Sequence, residues 1–203
     1  PHPPGSRVAT VSTNQVIITW DVHSGQLLNQ IFTPRDRYGI GGKLLSSSIH
    51  PKGRLVAVAG SPIHIGQQFT INPIRIMDTE RGKQQEIIKN PENEVKIIFL
   101  RFSPDGEKLF SMDEKGNASI WKFQIAGGNF SSLLVSDNLS KIIREKPIQS
   151  QFRRIYDQVD NLSGTGTIFA TDQGIFEFSW ENRTFEKVVN FLGPVTSVDI
   201  RQD

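Results

Sequence analysis

The chain contains no cysteine, which excludes disulfide scaffolds, thiolate metal sites and cysteine nucleophiles. It has no apolar run of the length, about 18 residues, that a membrane-spanning helix needs. Excess charge of one sign is missing too: 23 Lys and Arg against 21 Asp and Glu leave a formal +2. Nucleic-acid binding ordinarily needs a clustered basic face, and no such partner is expected. No charged-then-apolar leader opens the chain. It begins at Pro1 rather than Met and reads as a piece of a longer protein.

Catalytic signatures are equally scarce. The four histidines include no pair at H-x-x-x-H spacing, and no metal site is expected. No G-x-S-x-G elbow occurs. Gly39-Ile40-Gly41-Gly42-Lys43 fails as a phosphate loop, because Arg37 replaces its first Gly and Leu44 its Ser or Thr. The carboxylate pairs Asp78/Glu80 and Asp113/Glu114 fall at strand ends and read as solvated turn residues.

What the chain does have is repetition. His50-Pro51-Lys52-Gly53 precedes RLVAVAG, Ser103-Pro104-Asp105-Gly106 precedes EKLFSM, and His2-Pro3-Pro4-Gly5 precedes RVATVS. Pro presets the first corner of such a turn and Gly closes it. The glycines stand 48 and 53 residues apart. The strand-forming runs LLSSSI (44–49) and VKIIFLRF (95–102) precede two of the turns. After the turn strands come VIITWD, PIRIMD and ASIWKF, then GQLLNQIF, KQQEIIKN and FSSLLVSD (130–137). A looser fourth unit reads QFRRIYDQV (151–159), GTIFATD, GIFEFSW and TFEKVVNF, with a Pro-less turn at 160–164. PVTSVDI (194–200) looks like the start of another unit. Helical spacing of Leu139, Ile142 and Ile143 predicts a short helix within 136–146.

These residues give the unit a family likeness. It resembles the WD repeat: Phe102-Ser103-Pro104-Asp105-Gly106 matches that family's turn, and Trp20-Asp21 its closing dipeptide. Met77-Asp78, Trp121-Lys122 and Trp180-Glu181 look like degenerate versions of the dipeptide. The family's Gly-His is absent, so its Asp-His-Ser-Trp hydrogen-bond network is not carried over. The resemblance implies an all-β propeller of about four four-stranded antiparallel blades, spanning 1–32, 41–90, 93–137 and 150–191. A further blade would begin at 194–203, as part of a seven- or eight-bladed ring.

The resemblance also implies a non-catalytic platform that binds other proteins, without a cofactor. Binding is expected in segments the repeat does not need: Arg35, Arg37 and Tyr38 in loop 32–43, and His64 and Gln67 in the insertion Ile63–Phe69. The basic residues Lys141, Arg144, Lys146, Arg153 and Arg154 are candidates for an acidic partner. Two rival readings stay open. One is a recognition or gating propeller of a larger hydrolase; the other is an acidic-lipid binder, suggested by Phe152-Arg153-Arg154. A cytoplasmic setting is expected, although sequons at Asn117, Asn129, Asn138, Asn161 and Asn182 leave a secretory route open.

Overall fold

The computed structural model describes residues 6–33, 42–65, 69–89, 94–124, 141–144, 148–149, 151–189, 191 and 193–200. It holds strands and no helix among them. The chain divides into two compact units, Pro1–Asp113 with Ile120–Glu145, and Glu114–Ser119 with Lys146–Asp203.

Three antiparallel sheets follow in chain order, the first two wholly within the first unit. Sheet one runs β1 (Arg7–Val11), β2 (Val16–Asp21), β3 (Leu27–Phe32). Sheet two takes β4 (Leu44–Ile49), β5 (Leu55–Gly60), β8 (Pro73–Asp78) and β9 (Lys83–Lys89). A hairpin of β6 (Ile63–Ile65) and β7 (Phe69–Ile71) interrupts it between β5 and β8. Sheet three takes β10 (Ile97–Phe102), β11 (Lys108–Asp113), β12 (Asn117–Gln124) and β13 (Lys141–Arg144). β14 (Ile148–Gln149) pairs with the first residues of β12.

Strand periodicity explains the packing of the first unit. On β5, Val56 and Val58 point one way and Ala57 and Ala59 the other, and all four are fully buried. Val56, Val58 and Met77 meet Ile17 and Ile31 of sheet one. Ala57, Ala59, Ile74 and Ile76 meet Leu100, Phe102, Leu109 and Trp121 of sheet three. A sheet sandwiched on both faces needs apolar residues at consecutive positions, hence the unbroken LVAVAG. Burial of each large side chain contributes roughly 1.5–3 kcal/mol.

The second unit contains β15 (Ile155–Asp160), β16 (Gly166–Thr171), β17 (Gly174–Ser179) and β18 (Phe185–Val189), paired in that order. Phe152 covers its aromatic face, with ring centroids 4.8 Å from Phe176 and 5.0 Å from Phe185.

Several expectations need correction. Residues 141–144 form a strand paired to β12, not part of a helix. Pairing with a neighbouring sheet overrides a helical period this short. The expected strand at 130–137 lies outside the described residues. β15 starts at Ile155, so Phe152, Arg153 and Arg154 precede it rather than lie on it. Residues 194–200 carry no strand; Val195 N–H donates to Thr171 O, and Ser197 and Val198 donate to the Asp157 carboxylate. Asp78 and Asp113 are buried, at 1% and 4% exposure, rather than solvated.

A backbone bond at the end of the third strand aligns the four repeats. Val22 N–H donates to Ser6 O, Thr79 to Arg54, Phe123 to Glu107 and Trp180 to Thr165, at 2.9–3.0 Å. Counting back two residues equates Trp20, Met77, Trp121 and Phe178. The fourth dipeptide is therefore Phe178-Ser179, not Trp180-Glu181. Ser179 also acts as the aspartates do: its Oγ accepts the Asn182 N–H, as Asp78 Oδ1 accepts those of Glu80 and Arg81.

The same alignment shows how the tryptophans are satisfied. Trp20 Nε1 donates to Thr10 Oγ1 at 3.1 Å, and Trp121 Nε1 to Ser111 Oγ at 2.8 Å. In sheet two both partners are apolar, Met77 and Val58. In the fourth sheet the indole and its acceptor have each moved one pleat, to Trp180 and Thr167, and bond at 3.1 Å. The Trp-to-hydroxyl part of the network is thus present without the Gly-His dipeptide. The bond lies buried in the third and fourth sheets and exposed in the first.

Candidate interaction site

The second sheet carries the most distinctive surface element. β5 ends at Gly60, and the chain rises into the β6–β7 hairpin before returning as β8. The root is fixed by Ser61 N–H, which donates to Lys43 O at 2.8 Å. It is also fixed by Ile63, at 4% exposure. Cross-strand pairs Ile63↔Ile71 and His64↔Thr70 set the two faces. One face carries Ile63, Phe69 and Ile71, and the other His64 and Thr70. Phe69 is 67% exposed and Ile71 38%. The exposed His64 ring lies 3.0 Å from Thr70 Oγ1 through Nδ1, which ties the two strands.

Of the remaining candidates, Lys141, Arg144, Arg153 and Arg154 fall among the described residues. Arg35, Arg37, Tyr38, Gln67 and Lys146 lie outside the described residues. Lys141 and Arg144 are placed on β13 by their backbones. Arg153 and Arg154 belong to the second unit, where both are exposed. Their backbone N–H groups donate to one oxygen, Asp172 Oδ1, each at 3.0 Å. This anchor at the β16–β17 turn holds the main chain and leaves two adjacent guanidinium side chains at the surface. Sequence reading identified the insertion but not its hairpin, so Ile71 was missed. The alternation Ile63, His64 and Phe69, Thr70, Ile71 was the available signal.

A second group of charges has a structural character. Arg54 donates through Nε and Nη2 to Asp78 Oδ2, at 3.1 and 2.6 Å. Burial tends to raise the Asp78 carboxyl. Its bond to Arg54 and the Arg81 and Glu80 N–H groups outweigh burial and hold it below the ordinary range. Glu80 links this pair to Arg7 of sheet one, 3.4 Å away. Among the described residues, no group of three His, Asp or Glu gathers as a metal site would require. No helix among them is long and apolar enough to cross a membrane.

Comparison with known proteins places the architecture. No family model matches the sequence, and no curated protein does. Solved structures do match. One is the β-propeller domain of Myceliophteria thermophila Cps50 (Swd1), 13% identical with a TM-score of 0.58 over 97% of this chain. The fold is a β-propeller. U3-55K is a second match, 13% identical with a TM-score of 0.60 over 93% of this chain. The propeller segment spans 56% and 50% of those two chains, about half of each. The four-stranded antiparallel sheets of this propeller are the blades that the repeat implied. The first sheet has three strands among the described residues.

Proposed function

We propose that this propeller segment is a non-catalytic platform for other proteins, and that the β6–β7 hairpin of its second blade is a docking element. The observation that carries the reading is Phe69. A phenylalanine two-thirds exposed at 67% sits on a hairpin that adds no strand to the blade's own ladder. An exposed apolar side chain on such a hairpin is one that a partner can bury. The exposed Arg153 and Arg154 offer a separate patch suited to an acidic protein surface.

The test is chemical crosslinking of the tagged protein in its native extract, followed by identification of the captured proteins. Phe69→Asp and the double change Arg153→Glu with Arg154→Glu are compared with the native chain. Each is expected to keep the native melting temperature and to lose at least one captured protein. An identical set of captured proteins in all three samples removes both surfaces from consideration.

A further inference from the structure

One face is closed in the second sheet and open in the first. Val8 and Trp20 stand opposite each other in sheet one, as Val56 and Met77 do in sheet two. Val56 and Met77 are buried against Ile17 and Ile31 of sheet one. Val8, by contrast, is 47% exposed. Leu27 and Phe32 pair with Trp20 and Val16, so they share the Val8 face. They are 50% and 65% exposed. The edge of sheet one is open as well. Among the described residues β1 pairs with β2 alone, whereas β4 lies beside β5, β10 beside β11 and β15 beside β16.

The fourth sheet shows the converse. Val159, Ile168, Ile175 and Val189 lie on the face opposite Phe169 and Phe176, and none of the four is fully buried. Val195 N–H, Ser197 Oγ and Val198 N–H tie the following segment to Thr171 and Asp157 of this sheet, at 2.8–3.1 Å. Val195, Thr196, Val198 and Ile200 are β-branched and suit a pleated ladder, yet 194–200 carries no strand. The chain thus holds both an edge lacking a further strand and a strand-forming segment lacking a ladder. We propose that two copies of this chain associate head to tail. Residues 195–200 of each copy pair with β1 of the other, and the fourth sheet of each covers the open face of sheet one. A second copy suits this surface because, between sheets one and two, the repeat itself supplies the covering face. Each copy gives one surface and receives the other, so two equal contacts close a two-fold dimer. Length agrees: the chain spans 56% and 50% of the two matched chains, and two copies amount to about one of them.

The test is sedimentation equilibrium of the native chain over a range of concentrations, joined to crosslinking. The native chain is expected at twice the mass of one copy. Phe32→Asp puts a charge on the open face, and Ile200→Asp puts one in the added strand. Each should keep the native circular dichroism and sediment as a single copy. Because the chain has no cysteine, introduced thiols report the pairing directly. A chain with Val8→Cys, mixed with one bearing Ile200→Cys, should be joined by a short bismaleimide; neither alone should be. A chain carrying both changes should crosslink to a second copy and not within itself. A single-copy mass at every concentration overturns the proposal and leaves the face to another polypeptide. Crosslinking within the doubly substituted chain overturns it, as does open-ended assembly beyond two copies. A dimer that both charged variants leave intact, or that the mixed thiols do not join, uses another surface and also overturns it.

Discussion

The ring of His50 and the carbonyl of Gly106, 56 residues apart, are joined by a hydrogen bond of 3.1 Å. Nδ1 of the same ring accepts the Lys52 N–H at 3.2 Å. Together these bonds require a neutral imidazole with its proton on Nε2. The ring also stands edge-on to Phe102, with centroids 5.1 Å apart. His50 is both a corner of its own turn and the contact that carries the second blade onto the turn of the third.

Burial pushes the His50 imidazole down from 6.5 to about 4, with the Lys52 charge acting the same way and the Gly106 bond and Asp105 acting against. Between those two values the unfolded chain binds a proton that the folded chain refuses. Stability therefore falls as pH drops from about 6.5 to about 4, and this contribution is flat outside the window. The loss is on the order of 3 kcal/mol. Urea midpoints measured from pH 7.5 to 4 should fall more steeply for the native protein than for His50→Gln. Parallel curves would remove His50 as the source.

Gly106 and Gly53 occupy matching turns with φ of +76° and +80°, yet their surroundings differ. A Cβ on Gly106 would stand 2.2 Å from His50 Nε2, whereas one on Gly53 meets only the Arg7 side chain at 3.6 Å. Gly53→Ala should cost about 1–2 kcal/mol, from the left-handed backbone alone. Gly106→Ala carries the same cost and also displaces the imidazole, so its loss should exceed that of Gly53→Ala by about 1–3 kcal/mol. Chemical denaturation of both variants decides; equal losses would mean the His50 contact contributes nothing.

Trp121 and Ser111 bond at 2.8 Å inside the third blade. Ser111→Ala strands a buried indole N–H and should cost about 1–3 kcal/mol. Trp121→Phe removes the donor, and adding Ser111→Ala to it should cost much less than Ser111→Ala alone. A double-mutant cycle should give a coupling of about 1 kcal/mol. A coupling near zero would show that the two groups act separately.

Much of the blade pattern was legible in the chain. PIRIMD and LLSSSI form the strands β8 and β4 at the expected bounds, because their residues suit a pleated buried surface and Pro-Gly turns bracket the units. Lys141–Arg144 was misread because four residues carry too little periodicity to separate helix from strand. Trp180 was misplaced because the dipeptide was matched by residue type, whereas the repeat is held by backbone bonds such as Trp180 N–H to Thr165 O. Phe69 was marked as part of an insertion, but its exposure depends on which face the hairpin turns outward.

By itself the sequence determined the repeat, the turn chemistry and the absence of thiol chemistry, since these rest on short spacings and on the intrinsic conformations of Pro and Gly. Only the tertiary structure decided that Asp78 and Arg54 neutralise each other and that His50 bonds to a carbonyl of the next blade. Charge and protonation depend on what lies a few ångströms away in space, and those neighbours stand 24 residues apart for Arg54 and Asp78 and 56 apart for His50 and Gly106.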